Sequence, residues 1–305
     1  MPQPLEPVVT QVCRIILGKE HQIRLTIACL LARGHLLIED LPGVGKTTLS
    51  HAIAKSLGLD FQRIQFTSDL LPADILGVSV FDRDSSAFKF HPGPVFTQVI
   101  LADEVNRATP KAQSALLEAM EEHQVTTEGQ TRPLPEPFFV IATQNPSHQI
   151  GTFPLPESQL DRFLMRIHLG YPDAAAERRL LEGRERRDMI SDLAPVLDTA
   201  ELMQLQTRAR EVFTAPALLD YLQALVAHTR QSPDFSNGLS PRAGLYLLNA
   251  ARAWAFMDGR REVLPEDVQA VLPSVAGHRL YPEGGQTLLS STQIAERLIA
   301  EVAIP

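Results

Sequence analysis

The apolar positions of the first 33 residues recur at helical spacing. Val8, Val12, Ile15 and Ile16 share one face, and after Gly18 the run Ile23, Ile27, Leu30, Leu31 continues it. From residue 35 to 170 the pattern becomes short apolar runs separated by helical stretches. The runs are Leu36-Leu37-Ile38, Phe61 to Phe66, Val99 to Ala102, Phe138 to Thr143 and Met165 to Leu169. Helices are expected over Lys46 to Leu57, closed by Gly58, and over Pro110 to His123. In the second, Thr109 stands at the cap and Pro110 at the first helical position. Strands alternating with helices predict an α/β fold, a five-stranded parallel sheet covered by helices on both faces.

After Tyr171-Pro172-Asp173 the strand-like runs stop. Helical patterns follow at about 173–187, 199–212, 215–230, 241–257, 265–272 and 291–302. The expected organisation is an N-terminal helical segment over 1–34, an α/β domain over 35–172 and an all-α domain over 173–305. A length of 305 residues suits two domains. Two stretches break the alternation and read as hairpins. Residues 77–95 interrupt the second helix with Val78 to Phe81, a polar tip at Asp82 to Ser86, and Phe88-Lys89-Phe90; residues 124–137 carry Gly129-Gln130 near a tip.

Composition narrows the function classes. The chain is 44% hydrophobic and 21% charged, as globular proteins are. Twenty-eight basic against 36 acidic residues give a net charge of −8, so no basic nucleic-acid surface is visible in bulk. Only Glu177 to Asp188 is locally basic, with Arg178, Arg179, Arg184, Arg186 and Arg187 against four acids. It reads as a solvated helix face, with an RNA- or partner-binding stripe as the alternative. Cys13 and Cys29 form no disulfide framework and no cysteine-rich zinc motif. No apolar run approaches the roughly 20 residues of a membrane span, and the start, Met-Pro-Gln-Pro-Leu-Glu-Pro, lacks a signal peptide's basic and apolar regions. A cytoplasmic protein without membrane insertion is expected.

The sharpest chemical signal is Leu36-Leu37-Ile38-Glu39-Asp40-Leu41-Pro42-Gly43-Val44-Gly45-Lys46-Thr47-Thr48, a strand running through a glycine-containing loop into a helix. In such a loop the backbone N–H groups and the helix N-terminus cradle phosphate oxygens. Lys46 would reach the β- and γ-phosphates and the Thr47 hydroxyl would bind Mg²⁺. The general pattern has glycine five residues before Gly45; here that position is Asp40. The run Val99 to Ala102 ends in Asp103-Glu104. A strand-end Asp holds Mg²⁺ in phosphate-loop NTPases, and the following Glu can orient and deprotonate the attacking water. Strand-end acids also occur as turn residues, but their place in the same α/β block favours catalysis. Together these motifs predict ATP hydrolysis with Mg²⁺; the guanine-reading Asn-Lys-x-Asp does not occur in the chain.

These residues resemble the AAA+ ATPases and, within them, the MoxR family. The loop from Asp40 to Thr47 departs from the general pattern as MoxR sequences do. Asp103 to Ala108 with Leu116 to Glu122 resembles the family's stretch after the acidic pair. Ala142-Thr143-Gln144-Asn145-Pro146 resembles its sensor 1, Leu160-Asp161-Arg162-Phe163 its arginine-finger segment, and Ser240-Pro241-Arg242-Ala243 its sensor 2. The similarity runs in order over roughly residues 8 to 300. It implies an AAA+ core followed by an all-α lid domain. Asn145 would position the lytic water. Arg162 would reach the γ-phosphate of a neighbouring subunit, with Arg107 a second candidate at that interface. Arg242 would touch the phosphates from the lid. Gly18-Lys19, with Val12 and Ile16 behind them, sits where this family packs adenine. Each also has a plainer reading, as an Asn-Pro turn, surface or helix-start arginines, and an ordinary core face.

The resemblance further implies a hexameric ring, hairpins at the pore or on one ring face, and ATP-driven remodelling, assembly or activation of client proteins. A partner with a von Willebrand A domain and metal-cofactor insertion are common in such proteins. The aromatic-apolar-glycine pore loop of threading unfoldases is not found after Phe66, where the chain reads Thr67-Ser68-Asp69. Two other functions compete. A nucleic-acid motor would need more cations than Arg83, Lys89 and Arg132 at the hairpins, so no strong nucleic-acid binding is expected. A non-motor nucleotide switch or small-molecule kinase would have no use for a trans-acting arginine.

Overall fold

The computed structural model describes residues 3–145, 152–281 and 290–304. Two helices open the chain, α1 (Glu6–Cys13) and α2 (Glu20–Leu31), separated by the turn at Gly18. The α/β part follows as β1 (Leu36–Glu39), α3 (Lys46–Ser56), β2 (Phe61–Gln65), α4 (Pro72–Leu76), hairpin β3 (Gly77–Asp82) and β4 (Ala87–Pro92), then β5 (Val99–Asp103). It continues through α5 (Pro110–Glu122), hairpin β6 (Gln124–Thr127) and β7 (Gln130–Pro133), β8 (Phe139–Gln144), α6 (Glu157–Leu160) and β9 (Met165–Ile167). The rest is helical: α7 (Ala174–Glu182), α8 (Arg186–Ser191), α9 (Thr199–Arg210), α10 (Pro216–Gln231), α11 (Pro241–Met257), α12 (Pro265–Ala276) and α13 (Ser291–Glu301).

The five strands form one parallel sheet in the order β2-β5-β8-β1-β9. The near-continuous apolar runs of β1, β5 and β8 are what strands buried on both faces require, whereas β2, at the edge, is mostly polar. Alternation along each strand then sorts the side chains. Val99 and Leu101, with Phe139 and Ile141, pack beneath α1, α2, α3 and the helical domain. Ile100 and Ala102, with Val140 and Ala142, pack beneath α4 and α5 through Leu116, Leu117 and Met120. His35, buried just before β1, joins the sheet to the end of α5: Nδ1 accepts the Val140 N–H at 3.0 Å and Nε2 lies 3.1 Å from the Met120 carbonyl. Burial pushes this imidazole down to about 4, the neutral form that such a donor–acceptor pair needs.

Three details differ from the sequence expectation. The helical pattern over 173–187 divides at Gly183 into α7 and α8. Pro273 does not stop α12, because it falls in the final turn, where one missing N–H bond is tolerated. The first hairpin does not interrupt a longer helix: α4 is a five-residue helix, and after β4 the chain turns through Gly93 to Gln98 directly into β5. Among the described residues no helix is long and apolar enough to cross a membrane.

Candidate active site

The C-terminal ends of parallel strands are where open α/β sheets bind ligands, and here that edge gathers the residues of the phosphate loop, the acidic pair and Asn145. A cavity of about 340 Å³ is lined by Pro42, Gly43, Gly45, Lys46, Thr47, Thr48, Arg63, Gln65, Asp103, Glu104 and Asn145. Gly45 caps α3 at φ +99°, left-handed backbone that glycine adopts without strain, and Lys46 begins the helix. Lys46 is 7% exposed. Its ammonium donates to the carbonyls of Asp40 (2.6 Å) and Leu41 (3.2 Å) and to Asn145 Oδ1 (3.3 Å). Burial lowers its pKa, opposed by the negative charges of Asp40, Asp103 and Glu104. Lys46→Ala is expected to weaken ATP binding at least 100-fold, about 2.7 kcal/mol, measured by titration with a fluorescent ATP analogue.

The acids are held by neighbouring strands. Asp103 Oδ1 accepts the Thr143 hydroxyl at 2.6 Å, and Oδ2 accepts Arg63 at 2.6 and 3.1 Å. The Glu104 N–H donates to the same Thr143 oxygen at 2.9 Å. Glu104 Oε1 accepts Asn145 Nδ2 at 3.1 Å; Oε2 accepts Gln65 at 3.1 Å and Arg107 at 2.8 Å. Glu104 itself sits at φ +57°, ψ +46°, a left-handed conformation uncommon for a non-glycine residue and the kind of strain that clusters at functional sites. A hydroxyl on Thr47 and a carboxylate on Asp103 in the same cavity are hard oxygen donors, fitting Mg²⁺. Gly18 adjoins the start of α7, where a Cβ would lie 3.3 Å from that of Ala176, while Ile16 approaches the loop at Gly45.

Arg242 is a correction. It was expected to touch the phosphates of its own chain from the lid. Instead it pairs with Glu121 Oε1 at 2.6 Å, while Arg162 pairs with Glu121 Oε2 at 2.9 Å and donates to the Leu117 carbonyl at 3.0 Å. Both arginines line a small cavity with Arg33, His35 and Glu121. His35 precedes β1 whereas the phosphate loop follows it, so the arginine pair lies at the opposite edge of the sheet. The cause is local. Ser240, the α11 cap, donates to Asp161 at 3.2 Å, tying the start of α11 beside Arg162. Arg107 is drawn onto Glu104 of its own chain.

Sequence reasoning missed Arg63, Gln65, Thr143 and Glu121. The first two carried part of a signal, since β2 alternates polar residues with Ile64; the register that sets Gln65 opposite Asp103 comes only with the fold. Thr143 stands in both a strand run and the sensor 1 stretch, neither of which gives it a role of its own. Glu121 becomes meaningful only once α5, α6 and α11 are packed together.

Comparison with known proteins agrees with this geometry. Residues 35–165 match the family model described as ATPase family associated with various cellular activities (AAA), and residues 227–298 match an AAA lid domain. The chain is 44% identical to YeaC of Bacillus subtilis over 97% of its own length and 93% of that protein. It is 40% identical to the Chaperone MoxR1 of Mycobacterium tuberculosis, covering 98% of this chain and 80% of that one. A solved structure from Cytophaga hutchinsonii, described as a candidate ATPase, superposes with a TM-score of 0.88 at 36% identity, over 99% of this chain and 95% of that one. At 40% identity to MoxR1 over 98% of its length, with AAA and AAA lid models matched, the chain belongs to the MoxR family of AAA+ ATPases and is an ATP hydrolase.

Proposed function

We propose that this protein is a chaperone-like machine that hydrolyses ATP in a ring, a hexamer by family resemblance, whose active site is completed by two arginines of a neighbouring copy. One observation carries the reading: Arg162 and Arg242 converge on Glu121 at the sheet edge away from their own phosphate loop. Glu121 holds the two guanidiniums side by side, with Arg242 also 3.9 Å from Asp161, and a guanidinium presented in this way is suited to the γ-phosphate of ATP bound next door. Within a chain, Lys46 turns from the loop carbonyls to the β- and γ-phosphates. Glu104 accepts the proton of the attacking water, and Asn145, bonded to both Lys46 and Glu104, orients that water. Mg²⁺, held by Thr47 and Asp103, would neutralise phosphate charge. Ile16 and Gly18 border the space we assign to adenine.

The hairpins favour a protein client over a nucleic acid. Phe88 is 73% exposed and stacks edge-on with exposed Phe81 at 5.4 Å, while half-exposed Val78 and Val80 lie on the other face of the hairpin. Two of the three hairpin cations are engaged already: Lys89 with Asp82, and Arg132 over the Phe90 ring at 3.8 Å and on Gln130 at 2.6 Å. Arg178 and Arg184 of the basic segment pair with Glu182 and Asp192; the side chain of Arg187 lies outside the described residues. MoxR1 is named a chaperone, and the resemblance suggests remodelling or activation of clients with a von Willebrand A domain partner. The ATPase rate is therefore expected to be unchanged by single- or double-stranded DNA or RNA at physiological salt. A several-fold stimulation that persists there would instead favour the motor reading, because non-specific nucleic-acid affinity depends on cations free to contact phosphates.

A further inference from the structure

Asp40 stands where the phosphate-loop pattern has glycine, and an anionic side chain in a loop that binds anions needs a reason. The carboxylate is buried, at 9% exposure. Oδ1 accepts the N–H of Leu41 at 2.8 Å, while Oδ2 accepts the N–H groups of Leu169 at 2.7 Å and Gly170 at 2.6 Å. Leu169 and Gly170 are not part of the loop. They begin the connection from the edge strand β9 to α7, the first helix of the helical domain.

That connection is fixed from its other side as well. Gly170 turns at φ +62°, Lys19 Nζ donates to the Tyr171 carbonyl at 2.7 Å, and Asp173 caps α7 by accepting the Ala176 N–H at 2.7 Å. The joint between the two domains is thus held between the phosphate loop and the Gly18-Lys19 turn.

The peptide unit between Asp40 and Leu41 links this joint to the nucleotide site. Its carbonyl accepts Lys46, and its N–H donates to the Asp40 carboxylate. A peptide unit is a rigid plane, so its two ends reorient together. When Lys46 turns to phosphate it releases the carbonyl, and the plane that steadies the Asp40 carboxylate is freed with it. Arg242 lies at the far edge of the sheet and does not link a chain's own phosphates to its helical domain. We infer that Asp40 is a positioning residue that couples the state of Lys46 to the joint at Leu169-Gly170, so that nucleotide in the loop loosens the hold on the helical domain. This rests on the loop being the ATP site.

The test is amide hydrogen exchange at Leu169 and Gly170 in the full-length protein, with and without a saturating non-hydrolysable ATP analogue and Mg²⁺. In the wild type the analogue should speed exchange there at least fivefold. Asp40→Gly should exchange fast whether or not the analogue is present. Its kcat should fall at least fivefold while its KM for ATP moves no more than threefold. Asp40→Asn keeps the volume and one carbonyl oxygen; it should lie between the two, and it carries the test if the glycine variant does not fold. Exchange at these amides that ignores the analogue in the wild type would overturn the coupling, as would an equal response in the Asp40 variants. Binding of the analogue to the wild type is measured first: no binding would refute the loop as the ATP site, whereas binding without a response at the joint refutes only the coupling.

Discussion

Glu104→Gln is expected to leave ATP bound while slowing its hydrolysis at least 100-fold. The amide matches the carboxylate in size and keeps one acceptor oxygen, but it cannot take a proton from water. General-base contributions typically reach 10²- to 10⁴-fold. Binding should survive, because Lys46 and the loop backbone that cradle the phosphates are untouched. The Glu104 backbone is also anchored independently of its side chain, through its N–H on Thr143. Phosphate release and fluorescent-nucleotide titration would measure the two effects separately. Turnover within about tenfold of wild type, a barrier change of only ~1.4 kcal/mol, would contradict the water-activating role.

Arg162→Ala is expected to bind ATP normally and to lose nearly all hydrolysis, since trans-acting arginines are worth roughly 10³- to 10⁵-fold in phosphoryl transfer. The loss should not reflect misfolding. Arg162 is half-buried on a surface carboxylate, and its removal leaves Glu121 paired with Arg242. Specific activity of the wild type should rise with protein concentration, because a lone subunit has its arginine pair on the wrong edge of the sheet. Coupled ATPase assays across a dilution series would check this.

The sheet and its helical companion were legible because burial on both faces leaves apolar runs such as Val99 to Ala102 that few other structures need. The phosphate loop and acidic pair were legible because their chemistry is local: contiguous residues at a strand end or helix start. Arg242 was not. Its helix start and its type could be read, but the side of the sheet that it serves depends on how Ser240 meets Asp161, a contact 79 residues apart in sequence. Asp40 was visible as a departure from the loop pattern, yet its partners at Leu169 and Gly170 lie about 130 residues downstream. Gln65 and Arg63 needed the register of β2 against β5, which alternation alone does not fix.

The trans-completed ring is tested most directly by mixing two inactive proteins. In a mixed ring, an Arg162→Ala subunit keeps Glu104, and a Glu104→Gln neighbour supplies the missing arginine. Turnover should reappear on mixing, peak at intermediate ratios and vanish for either protein alone. Mixtures that stay inactive at every ratio, together with a wild-type rate per subunit that ignores concentration, would contradict an active site shared between neighbours.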